Sequence, residues 1–299
     1  MNRDLFIINV YCLVVEHFGA LKKQYHLRRQ GGFVPALTDE EVITMEVCGE
    51  YFKLNHDKDI YRYFATPYRH FCPRLPERTS FVRQAASLWQ GKDWLQLRLV
   101  QVSGQAADPV PSIDTWPWPV CTYSRASRDR RFRELADYGP CAAKKLDYYG
   151  CKLGLRIARS GMITHHPLLS ARRHEGQHLG TLIAGFTGLT PADKGFIDEY
   201  QQHLWGTIQG VQVLTPARLR MKAKGPPALV RATRRWRKLV ETVNSQLTER
   251  FQITRLRARD FAHYQHRLVR KILSHTICVF LNLELGRRPL DFDGLVTID

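Results

Sequence analysis

Hydrophobic residues recur at helical spacing through the first hundred residues. The apolar segment Leu5 to Val15 is interrupted by Asn9 and followed by Glu16 and His17, so it is too short to span a membrane. It therefore predicts a core helix. Thr38-Asp39-Glu40-Glu41 has the form of a capping box and predicts a helix that begins there. A further helix is predicted with Thr79 as its cap. The helical pattern ends in small residues at Ser103 to Ala107, where we place a domain boundary.

The hydrophobic period changes after residue 107. Val110 to Asp114 is a short apolar run that ends in a carboxylate, and Cys151 to Ile157 alternates apolar and polar residues like a half-buried strand. A short apolar segment at 189–192 leads into Asp193, and a further strand is predicted at 211–214. Helices are predicted at 197–205, 229–251 and 264–283. Strands first and helices interleaved later predict an α/β (α+β) core with a mixed sheet flanked by helices.

Positive charge is concentrated in this second region. The 299 residues hold 45 Lys plus Arg against 28 Asp plus Glu, and residues 1–107 hold only 14 and 11 of these. Between Pro216 and Arg259 there are 13 basic residues against Glu241 and Glu249. Such a stretch favours binding of nucleic acid over the alternative, a solvated helix face. Its candidate phosphate contacts are Arg234, Arg235, Arg237, Lys238 and Arg250.

A second basic cluster, which includes Arg125 and Arg128, follows the first predicted strand. It is either another contact to the DNA backbone or a solvated loop whose charges pair with Asp129 and Glu134.

The cysteines and the apolar runs indicate the compartment. The seven cysteines are odd in number and never spaced as C-x-x-C, which predicts a reducing cytoplasm, no disulfide framework and no zinc ribbon. The longest early apolar run is too short for a membrane span, so we expect no membrane partner.

Three carboxylates stand out among the acidic residues of the basic region. Asp114 ends an apolar run, Asp193 leaves another before a flexible Lys-Gly pair, and Glu241 lies beside the apolar row of a basic helix. Cleavage of a phosphodiester is catalysed well by two Mg²⁺ ions about 3.5 to 4 Å apart, and Mg²⁺ prefers oxygen ligands. The three acids could supply these ligands; for Glu241, an ordinary ion pair with Arg237 is an equal alternative.

Several ordered blocks resemble one family. The sequences around Ser-Ile-Asp114-Thr-Trp, Gly150-Cys-Lys-Leu-Gly-Leu, Ala-Asp193-Lys-Gly-Phe and Val-Glu241-Thr-Val-Asn-Ser-Gln-Leu resemble bacterial insertion-sequence transposases of the DDE type, most closely insertion-sequence family nine-eight-two. Blocks near residues 37–46, 78–84 and 269–276 also match, so the resemblance covers almost the whole chain.

The resemblance implies a ribonuclease-H-like catalytic domain at 106–299 and a helical DNA-end-binding region at 1–105. Asp114, Asp193 and Glu241 would be the catalytic acids and hold two Mg²⁺ ions, with Mn²⁺ as a substitute. The partners would be double-stranded DNA, as the terminal inverted repeats of the element and as the target, and a second subunit in the synaptic complex. The setting would be the nucleoid of a bacterial cytoplasm.

Similar transposases carry an Arg four residues before the Glu, here Arg237, and a Lys seven residues after it. Thr248 occupies the second place, and Arg250 is the expected substitute. In the helix predicted from Thr79, Arg83 and Gln84 are expected to reach base edges.

Glu175 is a further candidate. His174-Glu175-Gly176-Gln177-His178 spells the zinc-protease pattern H-E-x-x-H, but Gly176 and the preceding arginines oppose the long amphipathic helix that such a site needs. The family carries a His followed by an acid at this place, so Glu175 is an expected accessory group of the active centre.

Two other functions remain open at this point. A decayed transposase would be a non-catalytic basic DNA-binding protein or repressor, with salt-dependent binding and no Mg²⁺-dependent product. A ribonuclease-H-like nuclease would keep the core fold without the transposition activity.

Overall fold

The chain forms two compact units. The computed structural model describes residues 1–24, 34–129, 132–141, 146–216, 227–254, 256, 258 and 260–297. Met1–Ser103 and Ser245–Asp299 make up one unit, here called the helical unit, and Gly104–Asn244 makes up the other, here called the sheet unit. A division therefore falls close to the predicted boundary near residue 105, but the C-terminal segment clusters with the N-terminal helices. The functions assigned to 1–105 and 106–299 stay predictions.

The helical unit is built from six α-helices of the described residues. They are α1 (Arg3–Gln24), α2 (Asp39–Tyr51), α3 (Asp57–Ala65), α4 (Arg78–Ser87), α5 (Trp89–Val102) and α9 (Phe261–Glu284). The predicted capping box is confirmed: the Thr38 hydroxyl accepts the Glu41 N–H, and the Glu41 carboxylate accepts the Thr38 N–H. The predicted cap at Thr79 is wrong, because the N-cap position of α4 is Glu77, two residues earlier.

Helix α1 is partly buried. Among the described residues it is the one helix long and apolar enough to cross a membrane by length and composition alone. One face packs inside the helical unit, with Phe6, Val10 and Val14 fully buried, whereas Leu5 and Val15 are exposed. The predicted core helix is therefore present, but only one of its faces contributes to the core.

The interior of the helical unit contains charges as well as apolar side chains. Residues 42–51 of α2 are all buried, including Glu46 and Glu50. Their partners come from α5 and α9: Lys92 donates to Glu46, Arg270 donates to both acids, and Lys271 donates to Glu50.

The sheet unit contains two separately hydrogen-bonded sheets of described strands. The larger is antiparallel in the order β1 (Ser112–Pro119), β3 (Leu146–Ile157) and β2 (Asp137–Cys141), with β4 (Ile163–His165) and β5 (Leu168–Ser170) also paired to β3. The smaller is a parallel pair, β6 (Gly188–Pro191) and β7 (Val211–Leu214). Helices α6 (Leu179–Leu182), α7 (Glu199–Gln209) and α8 (Pro227–Ser245) complete the unit, apart from the last residue of α8. The architecture is mixed α/β, as predicted. The described strands do not form the predicted single mixed sheet, because the antiparallel sheet and the parallel pair are hydrogen-bonded separately.

The first strand extends further than the sequence predicts. Asp114 does not end β1 but lies within it, opposite Leu155, and the strand continues through the Trp-Pro-Trp-Pro segment to Pro119. Pro117 and Pro119 are compatible with this pairing because β1 is at the edge of the described sheet, where one side of the strand donates no ladder hydrogen bonds.

Candidate active site

Three carboxylates of the sheet unit line one cavity. Asp114 projects from β1, Asp193 lies two residues beyond β6, and Glu241 lies on α8. Three separate elements thus bring together acids that are far apart in sequence. The same cavity is lined from α8 by Trp236, Arg237, Val240 and Asn244, at spacings that place them along one side of the helix.

Asp114 is held by two neutral donors. Its Oδ1 accepts the backbone N–H of Thr115 at 2.8 Å, and its Oδ2 accepts Nδ2 of Asn244 at 2.9 Å. Burial raises the pKa of Asp114 from 3.8 to about 6; the nearby carboxylates Glu175 and Asp193 act in the same direction, and the two hydrogen bonds oppose them. The pKa shift therefore identifies a carboxylate whose negative charge is incompletely compensated.

Asp193 and Glu241 share a cation. Arg237 Nε donates to Glu241 Oε1 at 2.9 Å, and Arg237 Nη1 lies 3.9 Å from Asp193 Oδ1. These contacts raise the pKa of Arg237, chiefly through the hydrogen bond to Glu241 and then through Asp193. All three side chains are at least half exposed, so each ion pair is worth less than about 1 kcal/mol. The ion pair expected as the alternative for Glu241 is thus present, at the rim of the cavity.

Glu175 lies close to Asp114 and accepts a hydrogen bond from the next residue of β1. Its Oε1 accepts the Thr115 hydroxyl at 2.9 Å. Glu175 begins a 3-10 turn, Glu175–His178, rather than lying inside a long helix, so the H-E-x-x-H pattern lacks the helix of a zinc protease. Gly195 packs directly against the Glu175 carboxylate, which would have to move if Gly195 carried a side chain.

The donor chemistry of the cavity suits a hard divalent cation. Its candidate ligands are all carboxylate oxygens, which Mg²⁺ and Mn²⁺ accept and which zinc sites rarely use alone. In the described part of the chain, no group of three or more His, Cys, Asp or Glu side chains is clustered closely enough to hold a metal ion. Arg237 instead lies between two of the acids. The residues fit the cation by type, and an ion shared by all three acids requires that Arg237 release them.

The predicted DNA contacts are placed on several surfaces. Arg235 and Lys238 are exposed on α8, Arg125 and Arg128 are exposed in the 3-10 helix Tyr123–Arg128, and Arg83 is exposed on α4. The Arg234 side chain lies outside the described residues, as do several arginines of the basic stretch.

Two of the expected contacts are instead engaged in the helical unit. Gln84 is buried, and its amide donates to the Leu37 carbonyl and to Asp39. The prediction that Gln84 contacts base edges is therefore wrong. The Arg250 guanidinium pairs with Asp293, donates to the Tyr51 carbonyl and lies over the Tyr51 ring. These contacts hold Arg250 inside the helical unit, where it is not a ready replacement for a phosphate-binding lysine.

Asn244 is the residue of this site that sequence reasoning missed. The available signal was its position, three residues after Glu241 and therefore on the same side of the helix. Its partner Asp114 is 130 residues away in sequence, which no local pattern reveals.

Comparison with known proteins identifies the family. A family model described as a transposase DDE domain matches residues 105–261, which include all three carboxylates. No curated protein matches this chain. Among solved structures, the piggyBac transposase synaptic complex with hairpin DNA is similar at 12% identity and a TM-score of 0.45, over 97% of this chain and 78% of that one. The family model covers more than half of the chain, and the protein therefore belongs to the DDE-domain transposases.

Proposed function

We propose that this transposase cleaves DNA at the terminal inverted repeats of an insertion sequence and joins the freed 3′-hydroxyl ends to target DNA. Asp114, Asp193 and Glu241 are the proposed catalytic acids. The observation that carries this proposal is that the three acids line one cavity within the segment matched by the family model. The proposal includes a ribonuclease-H-like core, membership of insertion-sequence family nine-eight-two, and action at the nucleoid of a bacterium.

The side chains have separate tasks in this proposal. Asp114, Asp193 and Glu241 would hold two Mg²⁺ ions, or Mn²⁺ in their place, with Glu175 as an accessory carboxylate beside Thr115. When bound, such ions stabilise the attacking and leaving oxygens of an in-line displacement at phosphorus. Arg237 would then exchange its hydrogen bond with Glu241 and its ion pair with Asp193 for contacts to a DNA phosphate, because these partners are all anions and its side chain is exposed.

The rest of the basic surface would bind DNA without reading its sequence. Arg235 and Lys238 extend the positive surface of α8 away from the cavity, and Arg125 and Arg128 provide a second exposed patch in the same unit. Arg234 is included through its place on the same helix. Recognition of the element ends is assigned to the helical region 1–105, with Arg83 exposed on α4 for this purpose. A dimer in the synaptic complex is part of the proposal, because two ends must be joined.

The test is cleavage of a DNA that carries both element ends, incubated with Mg²⁺, Mn²⁺ or EDTA. The wild-type protein is compared with Asp114→Ala, Asp193→Ala and Glu241→Ala, and with Thr242→Ala as the matched control. Thr242 is exposed on α8, and its hydroxyl bonds only the Lys238 carbonyl among the contacts found. We expect each acid variant to bind the ends and to lose cleavage, while Thr242→Ala cleaves like the wild type.

Each alternative function has its own result in this assay. Salt-sensitive binding of the wild type without any divalent-ion-dependent product would identify a repressor. Cleavage of RNA in a hybrid, with no preference for element ends, would identify a ribonuclease-H-like nuclease. An acid variant that nicks the ends at the wild-type rate would exclude that acid from catalysis.

A further inference from the structure

Asn244 connects the helix that carries Glu241 to the strand that carries Asp114. It lies three residues after Glu241 on α8 and lines the same cavity. Its hydrogen bond to Asp114 at 2.9 Å joins residues of two different elements within the sheet unit. The bond therefore constrains the separation of Asp114 and Glu241 as well as the direction of the Asp114 carboxylate.

The direction of the hydrogen bond follows from chemistry. An ionised carboxylate only accepts hydrogen bonds, so the amide must present its NH₂ group to Asp114. With the Thr115 N–H on Oδ1, each oxygen of Asp114 is held by one donor. A carboxylate offers about four lone-pair sites, so about two remain for a ligand. Asp114 is thus oriented without being saturated.

A neutral donor at this position has a specific advantage over a charged one. A lysine or arginine would orient Asp114 equally well, but its charge would neutralise the carboxylate and repel an incoming divalent cation. The amide leaves the negative charge in place. Arg237, seven residues before Asn244 on the same side of α8, contrasts with the amide. Its charged guanidinium contacts Glu241 and Asp193 from an exposed position, which it can leave.

We propose that Asn244 is a positioning residue that fixes the Asp114 carboxylate for a divalent cation. This inference rests on the proposed function, in which Asp114 is a ligand. Hydrogen-bonded partners of metal ligands set their orientation, and their loss weakens metal affinity or activity by about 10- to 100-fold. The competing explanation is that Asn244 only fastens α8 to β1.

The test is binding of Mn²⁺ to the full-length protein without DNA, followed by the electron paramagnetic resonance signal of free Mn²⁺. Asn244→Leu keeps the branching of the side chain but removes the donor, Asn244→Gln keeps a donor on a longer stem, and Asn244→Ala removes the donor without adding an apolar group. Thr242→Ala is the matched control on α8, and Asp114→Asn reports on the ligand itself. Thermal unfolding in EDTA measures the fold of each variant, and cleavage is measured against Mn²⁺ concentration.

We expect Asn244→Leu and Asn244→Ala to bind Mn²⁺ about 10- to 100-fold more weakly, with melting in EDTA close to that of the wild type. Asn244→Gln should recover part of the affinity. The Mn²⁺ concentration for half-maximal cleavage should rise in parallel, and part of the rate should return at high Mn²⁺. Thr242→Ala should match the wild type in every measurement.

Wild-type Mn²⁺ affinity in both donor-less variants would overturn the inference. So would a loss of affinity that only follows a loss of melting temperature and that Asn244→Gln does not restore, since a mere fastening of α8 predicts that pattern. If Asp114→Asn itself bound Mn²⁺ like the wild type, the failure would instead belong to the proposed function, because Asp114 would not be a ligand.

Discussion

The buried acids of the helical unit and the acids of the sheet unit are compensated in opposite ways. Glu46 and Glu50 are completely buried, and each contacts at least two cationic side chains, from Lys92, Arg270 and Lys271. Burial acts to raise the pKa of Asp57 in the same unit, but Arg270 and Arg267 together hold it well below its usual range. The countercharges of these buried acids are therefore built into the fold.

Asp114 of the sheet unit has no cation among its hydrogen-bond partners in the described residues, and Arg237 acts on it only through space. It has two neutral donors and two neighbouring carboxylates, and burial raises its pKa to about 6. A buried acid with a structural role is paired with cationic side chains of the fold. A buried acid that binds a cation from solution lacks such partners, so its negative charge is unfavourable until the cation binds. The difference in pKa direction between Asp57 and Asp114 therefore distinguishes a structural carboxylate from a candidate catalytic one.

The largest expected effect comes from breaking the compensated network. Glu50→Gln would leave Arg270 and Lys271 buried with less negative charge around them, so the free energy of unfolding should fall by about 3 to 5 kcal/mol. Chemical denaturation at neutral pH measures this. The control is Glu40→Gln, which removes an acid from a partly exposed pair with Lys22 and should cost no more than about 1 kcal/mol. If both variants lost the same free energy of unfolding, the buried ion pairs would contribute no more to stability than a partly exposed pair.

The second prediction concerns Asp114, whose substitution should raise the free energy of unfolding rather than lower it. The Asp114 pKa of about 6 exceeds its ordinary value of 3.8, so the folded protein retains a proton that the unfolded chain releases, and stability falls as pH rises from about 4 to 6. At neutral pH the full cost is about 3 kcal/mol. Asp114→Asn should therefore stabilise the protein in EDTA at pH 7 by up to that amount and change little near pH 4.

The pH dependence separates the two classes of acid. The lowered pKa of Asp57 contributes stability that is fully present above its ordinary value and lost as pH falls below it. Unfolding of wild type and Asp114→Asn followed from pH 4 to 7 checks the sign at Asp114. If Asp114→Asn destabilised the protein at pH 7, Asp114 would belong with the structural carboxylates.

The smallest expected effect concerns Arg237. Its ion pairs with Glu241 and Asp193 are exposed, so Arg237→Gln should change the free energy of unfolding by less than about 1 kcal/mol. Lys238→Gln removes the same charge from the adjacent position and serves as the control. If Arg237→Gln alone lowered the free energy of unfolding by more than about 2 kcal/mol, the contacts of Arg237 would stabilise the fold and could not be released at little cost.

Local patterns predicted much of the fold. The capping box at Thr38, the strand at 151–157 and the long C-terminal helix are all present, because each depends on residues close together in sequence. The strand was predicted to be half-buried, but it is buried on both faces, Lys152 included. The extent of β1 could not be predicted in the same way. Two prolines argue against a strand unless it lies at a sheet edge, and edge position depends on the tertiary arrangement.

The site was predicted in part. The positions of Asp114, Asp193 and Glu241 at one cavity agree with the expected grouping, but their catalytic roles stay predictions. The hydrogen bond from Asn244 and the buried partners of Glu50 could not be foreseen, since they join residues 130 and more than 200 positions apart. The sequence around Asn244 or Glu50 does not distinguish these residues from asparagines and glutamates that remain in solvent.

If Asp114 is a cation ligand, as proposed, a divalent cation should neutralise its incompletely compensated charge. Thermal unfolding of wild type and Asp114→Asn in Mg²⁺, against NaCl of equal ionic strength, tests it most directly. We expect Mg²⁺ to stabilise the wild type, by about 2.7 kcal/mol at 100 times the dissociation constant, and to leave Asp114→Asn unchanged. Equal stabilisation of both proteins, or none of the wild type, would contradict the account.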